Sequence, residues 1–332
     1  MQVAIVGAGI AGATCASELA AAGHRVTVFD KGRSVGGRLA SKIGDGFCFD
    51  FGAQYFTASC AELEQSVIEW SAKGWVQVWD ARFGAIECGA FKERPGHKLK
   101  YVGLPTMQSI AGRLLDNCNV YKSHTVKALS RNEQSNCWTI SGISHSSDFD
   151  TETEKIFEDT FEFLIVALPA IQANILVPNA RVAELRMDPC WAVMVEFDKS
   201  LETDFDGARV TDHALSWVAR DSTKPGRPVG ERWVLHASAG WSRDNIEIAA
   251  DSAAEALLQE FFRLLSIDPI KPSFSKAHRW RYARAVNPMG QQYLLDKEAK
   301  LAYCGDWCSG DRFENAFLSG LSLGKYLASL AL

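Results

Sequence analysis

Three glycines near the start of the chain have the spacing of a phosphate-binding turn. Gly7, Gly9 and Gly12 follow an apolar run that predicts a buried strand, and they open a run that predicts a helix. The first glycine of such a turn permits the tight bend, the second lets a pyrophosphate approach the backbone, and the third lets the helix pack closely on the strand. The phosphates would lie against the positive N-terminus of that helix. This spacing therefore predicts binding of a diphosphate.

An acidic residue at the end of the next predicted strand extends this site. Asp30 follows the apolar residues 26–29, and its carboxylate can accept hydrogen bonds from both hydroxyls of an adenosine ribose. Small or apolar residues stand where the packing of the helix and the strands requires them, at Ala16, Leu19 and Val28. The segment therefore predicts a domain that binds an ADP-containing dinucleotide. Further contacts with the cofactor are predicted for Ile10, Ala11 and Lys31.

The residues after Asp30 distinguish between dinucleotides. Gly36-Gly37-Arg38 follows the second predicted strand, and a domain that binds only NAD has no need of it. In flavoproteins with the glutathione reductase type of FAD fold, the two glycines clear space and the arginine supports the pyrophosphate from the far side. The planar guanidinium suits a diphosphate. The alternative interpretation is an ordinary surface turn. We predict that Gly37 and Arg38 contact FAD.

The far end of the chain carries a second pair of cofactor signals. Residues 301–306 predict a short buried strand that ends in Gly305-Asp306, and residues 316–320 open a final helix that we expect to reach Leu332. In FAD proteins of this type, the aspartate contacts the ribityl chain, and the helix N-terminus stabilises negative charge on the reduced flavin. A surface turn followed by an amphipathic helix is the alternative. On the first interpretation, Phe317 and Ser319 also lie at the flavin.

The composition is that of an ordinary globular protein with a mild acidic excess. The net charge is -5 and the chain has no basic cluster, so nucleic acid is not an expected partner. The first predicted strand begins next to Met1, which leaves no room for a signal peptide, and no apolar run is long enough to span a membrane. The nine cysteines, at positions 15, 48, 60, 88, 118, 137, 190, 304 and 308, are scattered and odd in number. Free thiols in a reducing cytoplasm fit this pattern better than disulfides, and no metal site is predicted.

Because the cofactor signals lie at both ends of the chain, we predict a discontinuous FAD-binding domain. The fold class is α/β: a Rossmann-type domain of residues 1–58, 100–184 and 279–332, with a substrate domain of residues 59–99 and 185–278 built on a mostly antiparallel sheet. Helices are predicted at 61–72, 108–115 and 249–265, and strands at 75–79, 120–129, 138–143, 161–168, 191–197, 214–219 and 232–237. Residues 144–159 predict an exposed turn, and residues 221–231 a charged loop rich in proline and glycine. Val126, on one of the predicted hairpin strands, is a further cofactor candidate.

The second half of the chain is rich in aromatic and basic residues. Tryptophans occur at positions 191, 217, 233, 241, 280 and 307, and residues 278–284 combine a histidine, three arginines and two aromatic residues. In a strand, His278, Trp280 and Tyr282 would share one face and the arginines the other. The tract could line a cavity over the flavin, where aromatic rings hold a planar substrate. It could equally belong to a buried sheet with an arginine-rich outer face.

Taken together, these motifs resemble the renalases, particularly the bacterial type, within the flavin-containing amine oxidase superfamily. The resemblance covers essentially the whole chain. Beyond the glycine motifs and residues 304–308, it is carried by residues 50–57, 187–193, 233–237 and 278–284. Residues 313–320 depart from the family pattern, with Asn315 and Phe317 near the expected flavin edge, so substrate preference could differ. The family pattern at residues 50–57 also places Gly52, Ala53, Gln54 and Tyr55 among the cofactor-binding residues.

The resemblance implies an oxidase for isomers of NAD(P)H that carry the extra hydride at ring position two or six. Hydride would pass to FAD and the electrons then to O2, giving NAD(P)+ and hydrogen peroxide. The nicotinamide ring regains aromaticity when it gives up the hydride, so no catalytic base is required. The protein supplies orientation and electrostatics. The predicted substrate contacts are Gln54, Tyr55, His236, His278, Trp280 and Trp191. The two histidines could instead be satisfied core residues.

Two alternatives remain open from the sequence. An amine oxidase or flavin desaturase would use an aromatic cage in front of the flavin and often a lysine near flavin N5, and no lysine can be assigned to that position from the sequence. A flavoprotein whose FAD is structural or senses redox state would turn over no substrate.

Overall fold

The computed structural model describes residues 1–87, 89–94, 96, 98–148 and 151–330. Position 88, one of the cysteines, and the predicted end of the last helix at Leu332 lie outside these residues. The chain divides into two units. The first comprises Met1–Arg38, Gln108–Met187 and the chain from Ala285 onward, and the second comprises Leu39–Met107 and Asp188–Arg284.

The strands are β1 (Gln2–Val6), β2 (Arg25–Phe29), β3 (Ser41–Gly44), β4 (Phe47–Asp50), β5 (Val76–Val78), β6 (Phe83–Glu87), β7 (Ala90–Glu93), β8 (Tyr101–Gly103), β9 (Asn119–Tyr121), β10 (His124–Asn132), β11 (Cys137–Asp148), β12 (Thr151–Phe161), β13 (Phe163–Val166), β14 (Met187–Phe197), β15 (Gly207–Val210), β16 (Leu215–Arg220), β17 (Glu231–Ala237), β18 (Phe274–Ala285), β19 (Leu294–Asp296) and β20 (Leu301–Tyr303). The α-helices are α1 (Ile10–Ala21), α2 (Ala61–Ala72), α3 (Ser109–Leu114), α4 (Ala170–Leu176), α5 (Ala180–Ala183), α6 (Ala239–Asp244), α7 (Ala250–Leu265) and α8 (Phe313–Ser329).

The first unit is built on a six-stranded sheet in the order β19-β20-β13-β1-β2-β9. All neighbours pair in parallel except β19 and β20. β13 is buried along its whole length, as the uninterrupted apolar run predicted, because a parallel strand in such a sheet is covered on both faces. Helices α1 and α8 pack directly together: a Cβ at Gly320 would lie 2.1 Å from the carbonyl oxygen of Ala11. The predicted α/β fold class is confirmed.

Two predictions for residues 120–159 are wrong. The single strand predicted at 120–129 is split at Ser123, which has a φ of 57°, so that β9 pairs with β2 and β10 pairs with β11. Residues 144–159 were predicted as an exposed turn; positions 149 and 150 lie outside the described residues, and the others belong to two antiparallel strands, β11 and β12. Their polar residues concealed the strand pattern, yet Phe157 turns inward and stacks on Phe29 with the ring centroids 5.4 Å apart.

The second unit contains a seven-stranded sheet in the order β18-β14-β17-β16-β15-β6-β7. One face packs against α7 in a core that includes Trp191, Val193, Trp233, Leu235 and Phe261. The cross-strand register places the intervening residues on the opposite face, which we call the second face; Met194, Val234 and His236 are examples. Phe49 of the β3–β4 hairpin is fully buried against Met194 and Val234 on this face.

The observed boundaries of the two units differ from the predicted domain boundaries. Residues 39–58 and 100–107 were predicted in the FAD-binding domain but belong to the second unit, because the β3–β4 hairpin packs on its sheet and β8 pairs with β5. Residues 279–284 likewise stay with the second unit as part of β18, and residues 185–187 with the first. The helices predicted at 61–72 and 249–265 match α2 and α7 to within one residue. In the described part of the chain, no helix combines the length and the apolar character needed to cross a membrane.

Candidate functional site: a dinucleotide turn and a histidine–aromatic cluster

The three predicted glycines lie in the turn from β1 into α1. Gly7 has a φ of +112°, and a Cβ there would lie 2.5 Å from the carbonyl oxygen of Ala167. A Cβ at Gly12 would lie 2.1 Å from the carbonyl oxygen of Gly7, so helix and turn approach more closely than any side chain allows. A Cβ at Gly9, by contrast, would meet no described atom within 4 Å. Gly7 and Gly12 therefore shape the turn, while Gly9 leaves one side of it clear at the N-terminus of α1, where a diphosphate fits.

Asp30 lies beside this turn at the end of β2. Its two oxygens accept hydrogen bonds from the backbone N–H groups of Ala8 and Gly32, each at 2.7 Å. Burial raises the pKa of this carboxyl, while the two hydrogen bonds lower it, and the net shift is upward. Each carboxylate oxygen can accept more than one hydrogen bond, so the group can still bind ribose hydroxyls. Lys31, the next residue, is exposed.

The Gly36-Gly37-Arg38 segment docks on the dinucleotide turn. The backbone N–H of Gly36 donates to the carbonyl of Ala8 at 2.8 Å. A Cβ at Gly37 would lie 3.3 Å from the Cα of Gly9, so this turn passes directly over the phosphate-binding glycines. An ordinary surface turn would not require so close an approach.

Arg38 and Asp306, both predicted to contact the cofactor, pair with each other. The guanidinium donates two hydrogen bonds of 2.6 Å to the two carboxylate oxygens, in the fork geometry that arginine favours. Asp306 is almost completely buried, and the N–H of the preceding Gly305 donates to the Ser319 hydroxyl of α8 at 2.9 Å. The sequence predicted each residue separately and missed this pairing.

The remaining cofactor candidates of the first unit are mostly interior. Phe317 and Ser319 are buried in α8, and Ile10 and Ala11 are buried in the first turn of α1. Val126 packs against the apolar core of this unit beside a bulge in β10. Contact of these residues with FAD stays a prediction.

In the second unit, Gln54 has all its polar atoms bonded within the protein. Its amide nitrogen donates to the backbone carbonyls of Asp50 and Gly52, and its oxygen accepts from the Lys224 ammonium at 3.2 Å. Gln54 is 5% exposed. Gln54 was predicted to contact flavin and substrate, but its polar atoms bond within the protein. Gln54 instead stabilises the segment that contains Gly52, Ala53 and Tyr55.

Beneath that segment lies a buried ion cluster of Asp50, Asp221, Lys224 and Arg227. The Lys224 ammonium lies 2.5 Å from Asp221 and 3.3 Å from Asp50, and Arg227 lies 2.5 Å from Asp50. All four side chains are inaccessible to solvent. Burial alone would raise the pKa of Asp50, but Lys224 and Arg227 outweigh it and lower that pKa. Burial raises the pKa of Asp221, and the Asp50 charge adds to the rise.

Only weak signals in the sequence pointed to this cluster. Residues 221–231 predicted an exposed charged loop, because lysine and arginine beside proline and glycine are typical of surface turns. The one usable signal was Asp50, an acidic residue within an otherwise apolar strand, which requires a buried partner. Nothing in the sequence identified that partner.

A histidine–aromatic cluster lies next to this segment and consists of Phe51, His236, His278 and Trp280. The Phe51 and Trp280 rings stack with centroids 5.3 Å apart, and His278 meets Trp280 edge-on at 4.3 Å. The Phe51 carbonyl lies 3.2 Å from both His236 Nε2 and Trp280 Nε1. Because a carbonyl only accepts, His236 must carry its hydrogen on Nε2, which leaves Nδ1 as an acceptor.

Both histidines of the cluster are neutral near neutral pH. Burial, opposed by the bond to Phe51 and aided by the Lys224 charge, lowers the pKa of His236 to about 4. Burial and Lys276 lower the pKa of His278. The cluster therefore combines stacked aromatic rings with uncharged imidazoles.

Trp191, predicted as a substrate contact, lies on the opposite face of the sheet. It is 2% exposed within the core against α7, and its indole N–H donates to the Asn245 carbonyl at 3.0 Å. Arg279 lies over its ring, and Arg279 and Arg281 both pair with Glu247. The alternation predicted for residues 278–284 therefore holds, but Trp191 lies on the arginine face and is a core residue.

Comparison with known proteins extends these observations. Residues 5–66 match the model of the NAD(P)-binding Rossmann-like domain. A 4,4'-diapophytoene desaturase (4,4'-diaponeurosporene-forming) from Staphylococcus haemolyticus is 52% identical over 52 residues, which cover 16% of this chain and 10% of the desaturase. The chain thus aligns with about a tenth of the length of this curated relative.

Solved structures resemble the whole chain. A protein of Exiguobacterium sp. 255-15 assigned as a protoporphyrinogen oxidase has a TM-score of 0.76 at 12% identity and covers 98% of both chains. Cyclohexylamine oxidase from Brevibacterium oxydans has a TM-score of 0.72 at 12% identity, over 99% of this chain and 98% of its own. Residues 5–66 are therefore similar to a Rossmann-like domain, and the chain shares the fold of these solved structures.

Proposed function

We propose that this chain is an FAD-dependent oxidase of dihydronicotinamide nucleotides, acting on the isomers of NAD(P)H with the extra hydride at ring position two or six. When bound, FAD supplies the hydride acceptor and the route of the electrons to O2, which leaves as hydrogen peroxide. The fold, shared with oxidases, and the dinucleotide turn support the cofactor. The histidine–aromatic cluster supports the choice of substrate.

The first unit would hold the cofactor. The clear side of the turn at Gly9 and the N-terminus of α1 suit the pyrophosphate, and Asp30 suits the adenosine ribose. The Arg38–Asp306 fork adds a polar pair to the same unit. In this arrangement Asp306 orients the guanidinium, and each oxygen of the carboxylate can accept a further hydrogen bond, such as one from a cofactor hydroxyl.

The observation that carries the substrate assignment is the neutral His236 beside the Phe51–Trp280 stack. A dihydronicotinamide is planar and uncharged at its ring, and its carboxamide N–H can donate to the Nδ1 of His236. Oxidation of this ring regains aromaticity and abstracts no proton. A histidine whose pKa is about 4 is a poor base at neutral pH, which agrees with a reaction that needs none.

An amine oxidase or desaturase is the second candidate. The fold shared with cyclohexylamine oxidase favours it, and so does the buried Lys224, since the sequence alone had identified no lysine for such a site. However, the Lys224 ammonium is bonded to Asp221, Asp50 and Gln54, so it has little capacity left to act on a substrate.

The test is anaerobic reduction of the bound flavin. The yellow protein is mixed with the two- and six-dihydro isomers of NADH and NADPH, with primary amines, and with ordinary NADH, while the flavin absorbance is followed. We expect rapid bleaching by at least one of the two isomers and none by amines. Bleaching by an amine alone would replace the proposal with the amine oxidase candidate. A flavin that stays yellow with every compound would indicate a structural or redox-sensing cofactor.

A further inference from the structure

Two cations on the second unit have no anionic partner among the described residues. The Lys100 ammonium lies 4.1 Å from the centroid of the Phe83 ring and 5.7 Å from that of Tyr55. Such rings attract an ammonium but leave its charge uncompensated. Arg209 is exposed on β15. Burial and the neighbouring Arg209 charge both lower the pKa of Lys100, so the two cations are close enough to repel each other.

Arg209 belongs to a line of residues that crosses the second face of the sheet. It pairs in register with Trp217 of β16, which in turn pairs with His236 of β17. Residues in register on adjacent strands point to the same face, so these three side chains are neighbours. Phe83 joins them, because it pairs with Gly207, two residues before Arg209 on the same strand.

Trp217 adds an unused donor to this line. Its indole N–H is buried and makes no hydrogen bond with the described part of the chain. A buried donor without a partner is uncommon in folded proteins and is expected to find an acceptor, such as a water or a ligand. Trp217 as a whole is only partly buried, and its ring lies 5.5 Å from that of Tyr55, so a small molecule can contact the exposed part of the side chain that carries this donor.

We propose that Lys100, Arg209 and the indole N–H of Trp217 form an anion-binding site that takes the phosphate of the nucleotide substrate. This identification of the ligand rests on the proposed function. An arginine fork, an ammonium and an N–H donor together match the acceptor oxygens of a phosphate.

The spacing along the sheet supports this assignment. Arg209 is two strands from His236, and adjacent strands lie about 4.8 Å apart, so the two side chains stand about 10 Å apart across the face. A nicotinamide at His236 would then extend its ribose along Trp217 and bring its phosphate to Arg209 and Lys100. The same two cations would repel the ammonium of an amine substrate, which favours an anionic nucleotide over an amine.

The experiment compares nicotinamide mononucleotide with nicotinamide riboside, which lacks the phosphate. Each is titrated into the FAD-loaded protein, and the dissociation constant is read from the change in flavin absorbance. The variant is Lys100→Gln combined with Arg209→Gln. Lys92→Gln is the control, since Lys92 is an exposed lysine of the same unit that already pairs with Glu87. We expect the double variant to weaken the mononucleotide at least about tenfold, which corresponds to about 1.4 kcal/mol, and to leave the riboside nearly unchanged.

An equal loss for both compounds, or no loss for either, would overturn the proposed site. If neither compound binds the wild-type protein, the proposed function loses its support, and inorganic pyrophosphate becomes the probe. Its binding to the FAD-loaded protein is then measured by calorimetry. Binding that is lost in the double variant and kept in Lys92→Gln supports the anion site; equal binding, or none to the wild type, overturns it.

Discussion

Replacing Lys224 with methionine should destabilise the second unit severely. The ammonium lies 2.5 Å from Asp221, 3.3 Å from Asp50 and 3.2 Å from the Gln54 oxygen, and none of these groups can reach water instead. Removing one partner of a buried ion pair costs about 3–5 kcal/mol, because the remaining charge is left uncompensated. Asp50 keeps Arg227, so the loss should fall mainly on Asp221. We expect the free energy of unfolding, measured by urea denaturation, to fall by this amount.

The charge on Asp221 gives this prediction a second readout. Burial already raises the pKa of Asp221, and loss of Lys224 should raise it further. A carboxyl whose pKa is higher in the folded than in the unfolded protein favours folding at low pH, and this contribution is lost as pH rises through the folded-state pKa. The defect of Lys224→Met should therefore shrink as pH is lowered from neutral toward the raised folded-state pKa of Asp221.

Adding Asp221→Asn to Lys224→Met should recover much of the lost stability at neutral pH, because it removes the unpaired charge. Lys92→Met, at an exposed lysine, should change the free energy of unfolding by less than about 0.5 kcal/mol. A loss below about 1 kcal/mol in Lys224→Met, or no recovery in the double variant, would refute the assignment of Lys224 as the counter-charge of Asp221.

The remaining predictions concern the cofactor and the cluster. Gly9→Val should fold normally yet purify without flavin, since a Cβ at this position meets no described atom within 4 Å and occupies the clear side of the turn. Gly240→Val, where a Cβ likewise meets no described atom within 4 Å, should stay yellow. Asp30→Ala should raise the dissociation constant for FAD about fivefold or more, by loss of hydrogen bonds worth about 1 kcal/mol each, as measured by flavin fluorescence. Because the pKa of His236 is lowered to about 4, the rate of anaerobic flavin reduction should show no titration of this group between about pH 6 and 8. Trp191→Phe should lower the thermal midpoint through the lost hydrogen bond to Asn245, while its rate of flavin reduction stays at the wild-type value.

The parts of the structure that the sequence predicted well are those whose cause is local. The glycine turn is predictable because the close approach at Gly12 involves the carbonyl oxygen of Gly7, five residues before it, although the contact at Gly7 itself is with the distant Ala167. The helices α2 and α7 are predictable because their apolar residues recur with the helical period. The turn wrongly predicted at residues 144–159 shows the limit of prediction from composition. Residues 154–160 of β12 are exposed except Phe157, and exposed strand residues have the polar composition that is typical of a loop.

The candidate site was predictable only in part, for a related reason. The separate signals at Arg38 and Asp306 came from two motifs, but their pairing joins residues 268 positions apart and depends on the whole unit. Trp191 was predicted as a substrate contact but lies in the core. The sequence of a strand does not show which of its two faces packs against a helix. Lys100 and Arg209 carry no motif, and only the register of β15, β16 and β17 makes one of them a neighbour of Trp217 and His236.

The buried ion cluster and the histidine–aromatic cluster are joined by one short segment. Asp50 and Gln54 anchor that segment to Lys224, and between them Phe51 supplies both a ring for the stack and the carbonyl that binds His236 and Trp280. Because this carbonyl fixes the hydrogen of His236 on Nε2, the position of the segment decides which nitrogen remains as an acceptor. The Lys224 charge also lowers the pKa of His236 and so favours the neutral ring. Burial remains the main cause of the low pKa of His236, and the Lys224 charge adds to it. The buried Lys224 therefore supports both the segment whose carbonyl selects the tautomer of His236 and the neutral state of a ring that we propose to contact the substrate.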